Sequence, residues 1–169
     1  DGASSAPGRA LNMKKVPLTK GKFAVVDDKD FQAVSKHKWI YWACKKTSKT
    51  GYALRGKKLT DTFTGSKISM HRFILGEFNI DHINGDGLDN RRSNLRICDA
   101  NQNMFNRGAS KHNTSGFKGV TLLKNRGEYL ARISAYGRRY FLGYFKTAEE
   151  AHEAYKAAAI KYHGEFAKW

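Results

Sequence analysis

A chain of 169 residues with 31 Lys or Arg against 15 Asp or Glu carries a formal net charge of +16. Its length suits one ordinary domain or two small ones, and 40% apolar with 12% aromatic content excludes a wholly disordered chain. No apolar run reaches the length of a membrane-crossing helix and no signal-peptide core is visible, while two cysteines, Cys44 and Cys98, exclude a disulfide framework or a cysteine-rich zinc site.

The expectation is a soluble, intracellular, strongly basic protein whose field attracts polyanions, nucleic acid first among them. Residues 1–106 carry 19 basic and 10 acidic groups, and residues 107–169 carry 12 and 5, so both halves are expected to meet phosphate. Charge alone does not separate DNA from RNA.

Residues 1–12 are small, polar and patternless, a disordered arm or a cloning remnant before Met13, which reads as a natural start. Residues 13–78 form the first platform, of α+β type. A strand is expected at Phe23–Val26, and one or two helical turns across Asp27–Lys36 with Phe31 and Val34 inward. Trp39–Cys44 and Tyr52–Arg55 pair around the polar turn Thr47–Gly51. A further strand follows at Lys67–Met70, and His71–Leu75 is dense enough in apolar groups for a short buried helix.

Residues 79–107 are rich in Asn, Asp and Gly, with apolar anchors at Ile80, Ile83, Leu88, Leu95 and Ile97. Such a segment buries little, so its polar groups serve more than packing. Residues 108–116 form a polar linker. Three strands are then expected, Gly116–Leu123, Tyr129–Ala135 and Arg139–Phe145, with hairpin chemistry at Asn125-Arg126-Gly127 and Tyr136-Gly137. Thr147-Ala-Glu-Glu150 is a capping box, after which Ala151, Ala154, Tyr155, Ala158 and Tyr162 fall on one helical face and Gly164 ends the helix. Residues 117–169 thus predict a three-stranded antiparallel sheet backed by one Ala-rich helix.

The chemistry concentrates in Asp81-His82-Ile-Asn-Gly-Asp-Gly-Leu-Asp-Asn-Arg-Arg-Ser-Asn94-Leu-Arg96. An adjacent Asp and His closing an apolar run can aim a carboxylate at a cation and an imidazole at a water. A second strand at Asn94–Arg96 and a short helix from Asp99 would return Asn101 or Asn103 to the same spot. A neutral imidazole can take a proton from water near neutral pH. A carboxylate and an amide oxygen suit Mg²⁺ or Mn²⁺, with water and phosphate filling the remaining positions. The Asp-rich loop lacks EF-hand spacing and its closing Glu, which excludes that calcium site; Asp86, Asp89 and Asn90 read as turn formers.

This stretch resembles the HNH nuclease motif, a ββα-metal unit, in the form found in phage and intron homing endonucleases. The resemblance implies that Asp81 binds the divalent metal, His82 is the general base, Asn94 braces the loop and the His, and Asn103 is the second metal ligand. Asn stands at that last position where many members have His, as in an HNN variant, and Asn101 is the neighbouring alternative. His71 reads as a packing or hydrogen-bonding residue. Arg72, Arg91, Arg92 and Arg96 are candidate phosphate contacts.

Residues 117–169 resemble the APETALA/ethylene-response-factor type of DNA-binding domain, on Phe117-Lys-Gly-Val120, Tyr129–Ile133, Tyr140-Phe-Leu-Gly-Tyr-Phe145 and the Thr-Ala-Glu-Glu-Ala helix. That family lays its sheet in the major groove. By resemblance Lys118, Arg132, Arg139 and Phe141 adjoin DNA, with Lys124 and Arg126 on the backbone. Thr121, Leu123 and Ser134 stand where plant members commonly carry Arg, so their GC preference does not transfer.

The sequence therefore predicts an α+β chain: a small sheet platform, an HNH unit and a DNA-reading domain. Its expected activity is metal-dependent hydrolysis of double-stranded DNA in the cytoplasm of a host cell, with no membrane partner, as a monomer or homodimer. A non-catalytic DNA-binding regulator on a nuclease-like scaffold is the alternative. An RNA-binding protein fits the charge but neither motif.

Overall fold

The computed structural model describes residues 13–43, 51–62, 65–110 and 112–169. The expectations for residues 1–12 and for most of the turn between Thr47 and Gly51 lie outside the described residues. The chain is mixed α/β, with several small antiparallel sheets and four α-helices among the described residues. It divides into two units, one ending at Ile97 and the other beginning at Cys98.

The first unit opens with a strand that the sequence did not announce. β1 (Met13–Pro17) pairs antiparallel with β2 (Phe23–Asp27), from Met13 opposite Asp27 to Pro17 opposite Phe23. Two lysines precede its single inward valine, so no run of alternating apolar residues marks it. Val16 on β1 and Ala24 and Val26 on β2 are buried. α1 (Asp28–Ser35) adds Val34 to the same core, and its Asp28 and Asp30 complement the positive helix start.

β3 (Ile40–Trp42), β4 (Tyr52–Gly56) and β5 (Lys67–Ser69) form a three-stranded antiparallel sheet, and α2 (Met70–Leu75) follows directly. β6 (Ile80–His82) and β7 (Leu95–Ile97) pair antiparallel with Ile80 opposite Ile97, Asp81 opposite Arg96 and His82 opposite Leu95. Ile80 and Leu95 enter the core formed by Val16, Val26, Trp39, Met70 and Ile74. Burying such side chains stabilises by about 1.5–3 kcal/mol each, so the hairpin is anchored by its apolar positions while its polar ones remain available for chemistry.

In the second unit, α3 (Ala100–Phe105) begins at Asp99, whose side chain accepts from the Gln102 amide while the Gln102 side chain returns to the Asp99 N–H. β8 (Val120–Leu123), β9 (Glu128–Ala135) and β10 (Arg138–Phe145) form an antiparallel sheet in the order β10-β9-β8. The first strand is shorter than the expected Gly116–Leu123. Asn113 Oδ1 accepts from the N–H groups of Ser115 and Gly116, and Gly116 and Gly119 have φ of 82° and 74°, so residues before Val120 turn rather than extend.

Tyr136 and Gly137, both at positive φ, join β9 to β10 as a two-residue hairpin turn. α4 (Ala148–His163) carries the predicted capping box between Thr147 and Glu150. Ala151, Tyr155, Ala158 and Ala159 pack on Val120, Ala131 and Ile133 of the sheet, and Tyr162 is half-buried beside them.

Candidate active site

Asp81 and His82 end β6 and are both buried, with 6% and 5% of their surface exposed. Because successive strand residues point to opposite faces, the pair presents a carboxylate on one face and an imidazole on the other. Across the ladder, Arg96 Nε and Nη2 donate to Asp81 Oδ2 at 3.1 and 2.9 Å. The expected metal ligand therefore already has a cationic partner on its own hairpin.

On the other face, His82 Nε2 lies 3.3 Å from Oδ1 of Asn90, whose Nδ2 points to the Gly87 carbonyl at 3.5 Å. A carbonyl only accepts, so the amide nitrogen belongs beside Gly87 and the amide oxygen beside His82. His82 then carries its hydrogen on Nε2 and its lone pair on Nδ1. Burial pushes the His82 pKa below its usual value, opposed by Asn90 and by the carboxylates of Asp81, Asp86 and Asp89. The neutral, proton-accepting form is the one favoured at neutral pH.

His71 sets its ring edge against His82 at a centroid distance of 4.9 Å, and its Nε2 is 2.9 Å from Ser69 Oγ. Burial, with the nearby charges of His82 and Arg72, lowers its pKa to about 3. It hydrogen-bonds and packs as expected.

The connection between the two strands is internally cross-linked. The Asn84 N–H donates to Asn94 Oδ1, and Asn94 Nδ2 donates to Asn84 Oδ1 and to the Asp89 carbonyl, at 2.8 to 3.0 Å. Asn94 thus clamps both ends of the loop, although no bond joins it to His82 directly. Asp86 accepts from the Leu88 N–H as a turn former does, whereas Asn90 does more than turn the chain.

The first sheet holds this loop from outside. The Val25 N–H donates to the Leu88 carbonyl at 2.8 Å, and the Asn90 N–H donates to the Val25 carbonyl at 2.7 Å. Arg92 donates through Nε and Nη2 to Asp30 at 2.8 and 2.9 Å, through Nη2 to the Ile74 carbonyl, and through its N–H to Asp27. The N-terminal platform is thereby a mould for the loop. The sequence contained no signal for this, because the partners lie eighteen to sixty-five positions apart.

The arginines expected at phosphate are committed to carboxylates: Arg91 to Asp89, Arg92 to Asp30 and Arg96 to Asp81. Arg72 is half-buried on α2, with its Nε inside. Asn90 and the Arg96–Asp81 pair were missed by sequence reasoning; only the alternation that sets Arg96 opposite Asp81 could have suggested the second.

In the second unit, Asn103 is exposed on α3, while Asn101 is half-buried in a cleft with Ser134 and Arg138. Lys118, expected at DNA, is turned inward: its ammonium donates to the Phe105 and Lys168 carbonyls, and burial lowers its pKa to about 8. Lys124, Arg126, Arg132, Arg139 and Phe141 are exposed.

Among the described residues, no group of three or more His, Cys, Asp or Glu could hold a metal. A buried carboxylate with amide donors suits a hard cation that retains water and takes phosphate oxygens as further ligands, and it does not suit a closed zinc site. No described helix is long and apolar enough to cross a membrane.

A protein of Acanthamoeba polyphaga mimivirus named "Uncharacterized HNH endonuclease L560" is 31% identical over 157 residues, covering 88% of this chain and 74% of that protein. "Protein 3.8" of Escherichia phage T7 is 31% identical over 90 residues, covering 53% of this chain and 74% of that protein. No family model and no solved structure matches the chain.

Proposed function

The chain belongs to the HNH endonuclease family, and from that premise we propose that it is a metal-dependent DNA endonuclease with His82 as its general base. The observation that carries this reading is the buried His82 imidazole, fixed by Asn90 and adjacent to the Asp81 carboxylate on one short strand. A base must be neutral, oriented and partly desolvated to take a proton effectively at neutral pH, and burial with the Asn90 bond supports all three for Nδ1.

Asp81 would supply the carboxylate for Mg²⁺ or Mn²⁺, and the assignment of Asn103 as the amide ligand rests on the family resemblance alone. Between the two neighbouring amides, the half-burial of Asn101 beside Ser134 and Arg138 favours Asn103. When bound, the ion supplies Lewis-acid stabilisation of negative charge on the phosphate and its leaving oxygen. Arg96 holds the Asp81 carboxylate in place, and Asn94 keeps the loop closed around His82.

The second unit supplies the address. Arg132, Arg139 and Phe141 are exposed on the sheet face opposite α4, where they would meet duplex DNA, and Lys124 and Arg126 would contact its backbone, as the resemblance to the ethylene-response-factor type implies. Two modest readers on one duplex raise each other's effective concentration. A monomer would nick one strand and a homodimer would cut both.

Supercoiled plasmid incubated with and without Mg²⁺ tests the reading. The parent chain converts it to the open-circular or linear form only with metal, and His82→Ala abolishes the conversion while retaining DNA binding. Sequence-specific binding with no cleavage in any divalent metal would leave a DNA-binding regulator instead.

A further inference from the structure

The outer face of the second unit's sheet carries a feature that charge alone does not require. The register of β10 slips between Phe141 and Gly143, where Gly143 adopts φ of 138°. In an unbroken strand, Tyr144 would lie on the face opposite Phe141. The bulge instead sets Tyr144 opposite Leu130, on the same face as Phe141 opposite Arg132, while Phe145 turns inward to the core.

The two rings sit 5.1 Å apart, 62% and 48% exposed, and the Arg126 guanidinium lies 4.6 Å from the Tyr144 ring. Four of the five acidic residues beyond position 106 lie on α4 or the turn after it, Glu149, Glu150, Glu153 and Glu165. The outer sheet face carries Arg126, Arg132 and Arg139 against the fifth acid, Glu128, which pairs with Arg126 at 3.2 Å, so the face is basic on balance. An aromatic ridge exposed to water yet flanked by arginines is matched to a surface that is anionic at its edges and apolar in between.

We propose that Phe141 and Tyr144 read the 5-methyl groups of thymine in the major groove, which makes this ridge a specificity determinant of the DNA address; the inference rests on the duplex-binding reading above. Three strands at about 4.8 Å spacing are about 10 Å across, which fits a groove about 12 Å wide. The thymine methyl is the apolar group on that groove's floor, and a phenylalanine ring is a suitable contact for it. Thr121, Leu123 and Ser134 also stand on this face and offer no guanidinium to read guanine.

The test uses the full chain in EDTA and a duplex recovered by that chain from a random-sequence pool. Its partner probe carries deoxyuridine for every thymidine, which removes methyls without changing charge or pairing. The parent is expected to lose about fourfold in affinity per contacted methyl. Phe141→Ala should lose the share of the discrimination that Phe141 supplies, the double variant Phe141→Ala/Tyr144→Ala should bind both probes equally, and Phe141→Leu should retain most of the discrimination. Because both rings are exposed, none of these variants is expected to unfold.

Equal binding of both probes by the parent, a recovered consensus without thymine, or undiminished discrimination by Phe141→Ala overturns the inference. So does tighter binding to the single strand than to the duplex. Arg132→Ala separates the underlying reading: it should weaken both probes alike and lower the salt slope by about one. If it leaves affinity unchanged, the sheet is not the DNA-binding face at all.

Discussion

The Nε2 of His82 meets the Oδ1 of Asn90 at 3.3 Å, and Asn90 has no exposed surface. The Asn90 backbone is in turn bonded to Val25 of β2, so the orientation of the imidazole is set by a strand distant in sequence.

Asn90→Ala removes this acceptor and is expected to lower cleavage by about 10–100-fold, a part of the 10²–10⁴-fold that a general base contributes. The ¹⁵N shifts of the His82 ring distinguish positioning from unfolding: the parent should show the Nε2–H tautomer and the variant a mixture. An unchanged tautomer with lost activity would assign Asn90 to folding alone.

Arg96 bonds Asp81 Oδ2 through two nitrogens, and its positive charge opposes a cation at the same carboxylate. Arg96→Gln should therefore bind Mn²⁺ more tightly, by about tenfold at the screened strength of a partly buried pair. Titration calorimetry of the full chain with Mn²⁺ reads this without requiring turnover. Unchanged affinity would mean that Asp81 is not the ligand.

His71 stays neutral in the native state down to about pH 3, whereas an unfolded histidine protonates near 6.5. Between those values the unfolded chain binds the extra proton, so stability falls as pH drops through the window. The contribution is about 1.4 kcal/mol per pH unit. Burial shifts His37, His82, His152 and His163 in the same direction. Urea unfolding from pH 7 to pH 4 should show a steep loss, and His71→Gln should flatten it.

Gly119 has φ of 74°, and an added Cβ would lie 2.2 Å from the Tyr155 ring and 2.7 Å from the Arg132 carbonyl. Gly119→Ala is expected to destabilise the second unit by about 2–4 kcal/mol through overpacking and backbone strain. Gly127, also at positive φ but in open space, should tolerate Ala at a cost of about 1 kcal/mol. Thermal unfolding of both variants makes the comparison.

Local pattern determined much of this protein. The Thr147–Glu150 capping box, the alanine stripe of α4 and the Tyr136-Gly137 turn depend on residues only a few positions apart, and each formed as its spacing required. The Asp81-His82 pair was likewise legible as the centre of the proposed chemistry, and both residues are buried, at a cost that such types rarely bear without a use. Tertiary structure alone decided which polar groups were already engaged. Arg92 reaching Asp30, Val25 clasping Asn90 and Lys118 turning inward all join residues separated by thirteen to more than sixty positions. No periodicity encodes such pairs, because a salt bridge or buried hydrogen bond depends on where the packed core brings two side chains, not on their spacing along the chain.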